Sequence, residues 1–177
     1  MKSSLKRALS LLGLVVVALG SGLTAPASAS AKLAPLAGPN IFKSAGSGFS
    51  QCMDLGSYAT YTQVTLYPCN MYASSQKIYE SGGVLTSVGS GYTKCFDVGS
   101  YVANTPVTLY PCNGSISQKW GKRGIYNDQI YSIGAGASPW MCMDLGSYAT
   151  YTPVKLYPCS NVESQSWSAP FEPTPLA

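Results

Sequence analysis

Cys52 to Cys69 reads CMDLGSYATYTQVTLYPC, and the chain writes this stretch three times. Cys95 to Cys112 reads CFDVGSYVANTPVTLYPC, and Cys142 to Cys159 reads CMDLGSYATYTPVKLYPC. The first and third copies differ only at Gln63/Pro153 and Thr65/Lys155. The leading cysteines stand 43 and then 47 residues apart. Each copy is followed by Gln, any residue and a hydrophobic one: Gln76-Lys77-Ile78, Gln118-Lys119-Trp120 and Gln165-Ser166-Trp167. A period of this size marks a repeat architecture, in which one unit cannot bury its own apolar face and several together can. Three copies point to a closed, threefold arrangement.

Beyond residue 30 no segment carries a 3.6-residue apolar stripe. Short alternating runs are separated by Gly, Ser, Pro and Asn, which is an all-β pattern. Val64-Thr65-Leu66-Tyr67 alternates, as does Met53-Asp54-Leu55, and so do their counterparts. Each unit begins before its first cysteine, at Ile41–Ser44, Val84–Ser87 and Ile130–Ile133. Few residues follow Trp167, so Ile41–Ser44 is expected to lie beside the C-terminal segment and close the barrel, which removes exposed strand edges. The expected bounds are 41–83, 84–129 and 130–171, within one domain over 41–171. Residues 30–40 read as a flexible leader and 172–177 as a tail.

The composition narrows the chemistry. The chain has 177 residues, 46% hydrophobic and 10% charged, with no His. That excludes His-dependent triads, HExxH zinc sites and Cys₂His₂ fingers. None of the six Cys forms a CxxC pair, so zinc ribbons are excluded as well. No metal and no cofactor is expected. Lys2, Lys6 and Arg7 precede a 13-residue apolar run, Ala8 to Gly20, and small residues ending in Ala27-Ser28-Ala29. This reads as a secretory signal peptide over 1–29. The run is well short of the roughly 20 residues that span a bilayer. The expected product is secreted and extracellular, a monomer with no membrane span after cleavage. Past Ala29 there are eight basic and seven acidic residues, a net charge of +1. Nucleic-acid binding calls for a basic patch, and only Lys119, Lys122 and Arg123 cluster here, so no nucleic-acid partner is expected.

Export places the cysteines where disulfides persist. The repeat favours pairing within each copy: Cys52 with Cys69, Cys95 with Cys112 and Cys142 with Cys159. Each bridge would contribute about 3 kcal/mol in the chain-entropy account. If Cys52 and Cys69 sit opposite each other on antiparallel strands, alternation puts Asp54 and Tyr67 on the disulfide's face, as a directly opposed pair about 5 Å apart. Met53, Leu55, Val64 and Leu66 then face the core. The same reasoning pairs Asp97 with Tyr110 and Asp144 with Tyr157. A carboxylate beside an outward tyrosine suits a sugar: the ring stacks on the C–H face, and the carboxylate accepts from two neighbouring hydroxyls. Asn70 or Asn113 can complete the contacts. Such sites are weak singly, and three on one body act by avidity.

These motifs resemble the ricin-type β-trefoil lectins, a pattern shared by the xylan-binding modules of bacterial glycosidases. The resemblance covers about Ile41 to Phe171 and rests on C-x-D-[LV]-G, T-x-V-x-L-Y-x-C and Q-x-W, three times over. It implies a β-trefoil of three pseudo-symmetric repeats, about four strands each, with up to three shallow sugar sites. It implies that Asp54, Asp97 and Asp144 bind sugar hydroxyls and that Tyr67, Tyr110 and Tyr157 stack. Asn70 and Asn113 would add contacts, whereas Ser160 departs from the pattern. Gln76, Gln118 and Gln165 would lie near the sites. Ser75, Ser117 and Ser164 stand where galactose-binding members often carry Asn, which leaves other sugars open. Ile78 replaces Trp in the first unit. The second unit matches the pattern best.

Two other classes compete. Each Asp can instead serve a turn before Gly, and a trefoil can bind protein through its loops, as a secreted inhibitor does. Glycoside hydrolysis needs two carboxylates about 5–9.5 Å apart. Symmetry sets the three Asp on separate lobes, and Glu80, Asp128 and Glu163 have no motif around them, so no enzyme is expected. Trp120 and Trp167 are expected in the core, and Asn113-Gly114-Ser115 also fits a glycosylation acceptor.

Overall fold

Strands form wherever the alternation runs. The computed structural model describes residues 38–123 and 128–168. The expected signal peptide, most of the 30–40 leader and the tail lie outside the described residues. Twelve strands follow in order: β1 (Lys43–Ser44), β2 (Gln51–Leu55), β3 (Val64–Pro68), β4 (Ile78–Ser81), β5 (Val84–Ser87), β6 (Lys94–Val98), β7 (Val107–Pro111), β8 (Trp120–Arg123), β9 (Gln129–Ser132), β10 (Met141–Leu145), β11 (Val154–Pro158) and β12 (Trp167–Ser168). The third unit's opening strand is Gln129–Ser132, one residue earlier than the expected 130–133. Ile133 instead begins a 3₁₀ turn over Ile133–Ala135.

The strands make three four-stranded antiparallel sheets, ordered β12-β1-β2-β3, β4-β5-β6-β7 and β11-β10-β9-β8. The first joins the two ends of the described chain, with Lys43 opposite Ser168 and Ser44 opposite Trp167. Closure through Ile41–Ser44 is thus present. Between the sheets, isolated bridges Gln63–Thr108, Pro106–Lys155 and Thr65–Pro153 link β3, β7 and β11 in a ring. The β4–β5 hairpin turns on Gly82 and Gly83, with φ of 57° and 77°. Left-handed values at both central residues give a two-residue turn matched to strand twist. A Cβ on Gly83 would also stand 2.7 Å from the Trp120 carbonyl oxygen.

The core follows the repeat. Its buried hydrophobics fall into symmetric triplets: Phe42/Leu85/Ile130, Met53/Phe96/Met143, Leu55/Val98/Leu145, Val64/Val107/Val154, Leu66/Leu109/Leu156 and Ile78/Trp120/Trp167, with Met141 added. One lobe alone exposes its own apolar face; three lobes cover one another. Trp120 and Trp167 are buried, and their indole N–H groups donate to the Phe96 and Met143 carbonyls at 3.1 and 3.3 Å. Ile78 fills the equivalent place fully buried. Tyrosines couple the lobes at the rim. The phenols of Tyr58, Tyr101 and Tyr148 lie over Gly89, Gly134 and Gly46 of the following lobe, where a Cβ would come within 2.0, 2.4 and 2.1 Å of the hydroxyl oxygen.

All three expected disulfides form, each with a Cα–Cα distance of 5.0 Å. The expected register is corrected. Cys52 faces Tyr67, not Cys69, and Asp54 faces Thr65, not Tyr67. Likewise Asp97 faces Thr108 and Asp144 faces Lys155. The offset is constant along the hairpin, from Leu55 opposite Val64 to Gln51 opposite Pro68. Pro68 ends β3 without an N–H for the ladder. Cys69 continues that offset, its N–H donating to the Ser50 carbonyl at 3.0 Å, so its bridge to Cys52 runs diagonally across the pair. The shift is two residues, so every side chain keeps its face.

Candidate functional site

A shift of two leaves Asp54 and Tyr67 on the same outward face as diagonal neighbours, roughly 7–8 Å apart in such ladders. Met53, Leu55, Val64 and Leu66 are buried beneath them, Asp54 is half-buried, and Tyr67 is exposed. Asp97 with Tyr110 and Asp144 with Tyr157 repeat the arrangement. A cleft opens over each pair. Asp54, Tyr67, Asn70 and Gln76 line the first, of about 410 Å³. Asp97, Tyr110 and Asn113 line the second, of about 760 Å³. Asp144 and Tyr157 line the third, of about 440 Å³, which also holds Lys155. The sequence-nominated side chains are therefore gathered lobe by lobe.

The glutamines hold the loops beside the clefts. Gln76, Gln118 and Gln165 are buried, exposed by 0, 1 and 0%. Each accepts from the backbone N–H after the second cysteine, at Asn70, Asn113 and Ser160, over 2.7, 3.0 and 2.7 Å. Each side-chain amide donates to the preceding proline carbonyl at 3.0 Å. They clamp the loop that carries the Asn. Because that clamp uses backbone groups, Ser160 sustains it as well as Asn70 does. In the second and third lobes the glutamine amide also donates to the aspartate, Gln118 to Asp97 Oδ2 at 2.7 Å and Gln165 to Asp144 Oδ2 at 2.6 Å. In the first lobe Ser75 supplies this bond, donating to Asp54 Oδ2 at 2.9 Å. Each carboxylate is thus fixed through one oxygen, and its other oxygen remains an acceptor. The Asn70 and Asn113 carbonyls accept from the Tyr72 and Ser115 N–H groups at 3.0 and 2.9 Å, which turns the amide NH₂ free to donate.

Sequence reading missed that every cleft is shared between lobes. Tyr61 reaches from the first lobe to Tyr110 of the second, with ring centroids 5.4 Å apart and planes 50° apart. Tyr151 reaches from the third to Tyr67 of the first, at 5.5 Å and 54°. Asn104, their equivalent, lines the cleft of Tyr157 in the third lobe. All three stand at φ 67°. Paired backbone bonds dock each loop on its neighbour. Tyr61 N–H donates to Leu109 O at 2.7 Å, and Leu109 N–H to Thr62 O at 2.8 Å. Tyr151 with Leu66, and Asn104 with Leu156, repeat the first bond at 2.7 and 2.8 Å. A hydrogen bond to Tyr110 is the main influence raising the Tyr61 phenol above its ordinary value, followed by the charge Tyr110 acquires on ionising, burial and Asp97. Tyr151 is raised in the same way by Tyr67, with Asp54 contributing least.

Threefold lobes of this build, with Q-x-W clamps and C-x-D acids, have a family counterpart. Residues 42–167 match the model of the ricin-type beta-trefoil lectin domain. The chain belongs to that family. This lectin domain has the fold of several solved structures. ThreeFoil, a designed 3-fold symmetric protein, matches at TM-score 0.65 and 20% identity, over 75% of this chain and 98% of that one. The beta-trefoil lectin of the Vibrio vulnificus hemolysin/cytolysin, with N-acetyl-D-lactosamine bound, matches at 0.60 and 17%, over 79% and 99%. The agglutinin from Abrus precatorius matches at 0.62 and 16%, over 79% of this chain and 51% of that one. Identities this low establish a shared fold only. Comparison with curated proteins gives no match. Among the described residues no helix is long and apolar enough to cross a membrane.

Proposed function

We propose that this lectin domain is a secreted, non-catalytic carbohydrate-binding protein that takes sugars in three clefts. The observation that carries the reading is the threefold recurrence of an anchored carboxylate and an outward tyrosine over one cleft. A fixed carboxylate can accept from two vicinal hydroxyls without first being ordered, and the ring covers the C–H face. Asp54, Asp97 and Asp144 are the acceptors. Tyr67, Tyr110 and Tyr157 are the stacking rings, while Asn70 and Asn113 add donors. Gln76, Gln118 and Gln165 act behind them by holding the loops and, in two lobes, the acid. Among the described residues each cleft is lined by a single carboxylate, whereas glycoside hydrolysis needs two. Three disulfides and the N-terminal signal pattern support export.

The test is retention on insoluble polysaccharides together with a glycan array that includes N-acetyl-D-lactosamine, the sugar in the Vibrio structure. Wild type is compared with Asp54→Asn, Asp97→Asn and Asp144→Asn combined. The expected result is retention by wild type and at least a tenfold loss in a triple variant that melts like wild type. Equal retention would reject these acids as the site. Failure of wild type on every glycan would leave the protein-binding reading.

A further inference from the structure

The crossing residue differs between the clefts in kind. In two it is tyrosine and in the third asparagine, at one backbone conformation, φ 67°. Left-handed backbone suits asparagine, whose short side chain tolerates it, and disfavours a bulky residue. Tyr61 and Tyr151 are therefore the strained choice, and Asn104 shows that the loop closes without them. Burial does not reward the strain, since both rings are 69% exposed. Asn104 makes the same backbone bond in that conformation, so the large, solvent-facing ring at a strained position points to use by a ligand.

The rings are placed for such use. Each crossing ring borders a lobe's own stacking tyrosine with centroids 5.4 or 5.5 Å apart and planes inclined by 50 or 54°. This is a bent platform of two adjoining faces, not a closed sandwich. One sugar ring seated by Asp97 covers Tyr110; a second ring, linked to the first and turned relative to it, meets Tyr61. The first cleft repeats this with Asp54, Tyr67 and Tyr151. In the third, Asn104 offers only hydrogen-bonding groups beside Tyr157.

We propose that Tyr61 and Tyr151 are second stacking platforms, so that two of the three clefts select neutral oligosaccharides of two or more rings while the third takes a single ring. The proposal rests on the carbohydrate reading of the same clefts and adds their length specificity.

Calorimetric titration with monomer, dimer and trimer ladders of xylose, galactose and glucose tests it. For the sugar type that binds, wild type is expected to hold the dimer roughly threefold to tenfold more tightly than the monomer, the scale of one added aromatic contact per site. In Tyr61→Asn with Tyr151→Asn, which places the native residue of the middle lobe at both loops, the dimer-to-monomer ratio falls to about one. In Asn104→Tyr the third cleft acquires a ratio above one. Thermal melts show whether each variant is folded, and the asparagine variants are expected to melt no lower than wild type. An unchanged ratio in the folded double variant overturns the proposal and leaves the carbohydrate reading standing. Absence of binding by wild type to every ladder and every glycan on the array overturns both.

Discussion

The first and third repeats are near copies, differing at two positions between their cysteines, yet the clefts they anchor are not copies. The first cleft borrows Tyr151 from the third lobe, and the third borrows Asn104 from the second. The acid also hangs differently: Ser75 holds Asp54, whereas Gln165 holds Asp144. Lys155 lines the third cleft where the first lobe has Thr65. In a cyclic repeat, a cleft is set as much by the lobe next door as by its own motif, so resemblance between repeats does not carry over to their sites.

The largest effects test whether the lobes are equal beneath that difference. Each disulfide spans the same 17 residues. Replacing any one pair by alanine should cost about 3 kcal/mol in guanidinium unfolding. A pair whose loss differs by more than about 1 kcal/mol from the others would show that the repeats are not energetically alike. Next come the clamps. Gln76→Ala, Gln118→Ala and Gln165→Ala should each cost roughly 2–3 kcal/mol, since buried backbone partners are left unpaired. Saccharide affinity should divide them: Gln118→Ala and Gln165→Ala release an acid, while in Gln76→Ala the Ser75 bond persists. Equal affinity losses in all three would refute the distinction.

Gly89→Ala should destabilise by roughly 1–3 kcal/mol, because a methyl group meets the Tyr58 phenol. The paired change Tyr58→Ala with Gly89→Ala should cost less than the sum of its parts, which a double-mutant cycle reads directly. The smallest effect is alkaline. Tyr61 and Tyr151 titrate above the ordinary 10.0, so the fold favours their neutral forms. Stability from these pairs is whole below that value and declines as pH rises through the raised one. Phenolate absorbance should show late-titrating tyrosines that vanish in the double asparagine variant. Their persistence would mean that the ring pairs do not couple.

Much of the scaffold was legible. Alternation identified the strands, their buried face and the outward acids and rings, because side-chain period is a local property of a strand. Trp120 and Trp167 could be assigned to the core because each follows its glutamine at the phase that apolar Ile78 holds in the first unit. The register was missed by two residues, since the Cys52–Cys69 bridge joins diagonal positions and not opposed ones, which alters pairing without altering parity. The crossing residues left only a faint trace. Asn104 is a turn residue by type, but Tyr61 and Tyr151 at the same phase disguise the turn. Contact between one lobe's loop and the next lobe's strand has no local signature. The roles of Gln118 and Gln165 as holders of the acid depend on a burial that only the assembled lobes create.

The handing of one residue to the next lobe also sets the order in which the clefts come into being. As the chain is made from its N-terminus, the middle cleft has both its tyrosines once β7 is in place. The third waits for β11. The first cleft in the sequence waits as well, because Tyr151 comes from the far end of the chain, and its lobe is sealed only when Trp167 and Ser168 zip onto Lys43 and Ser44. What is encoded first is finished last.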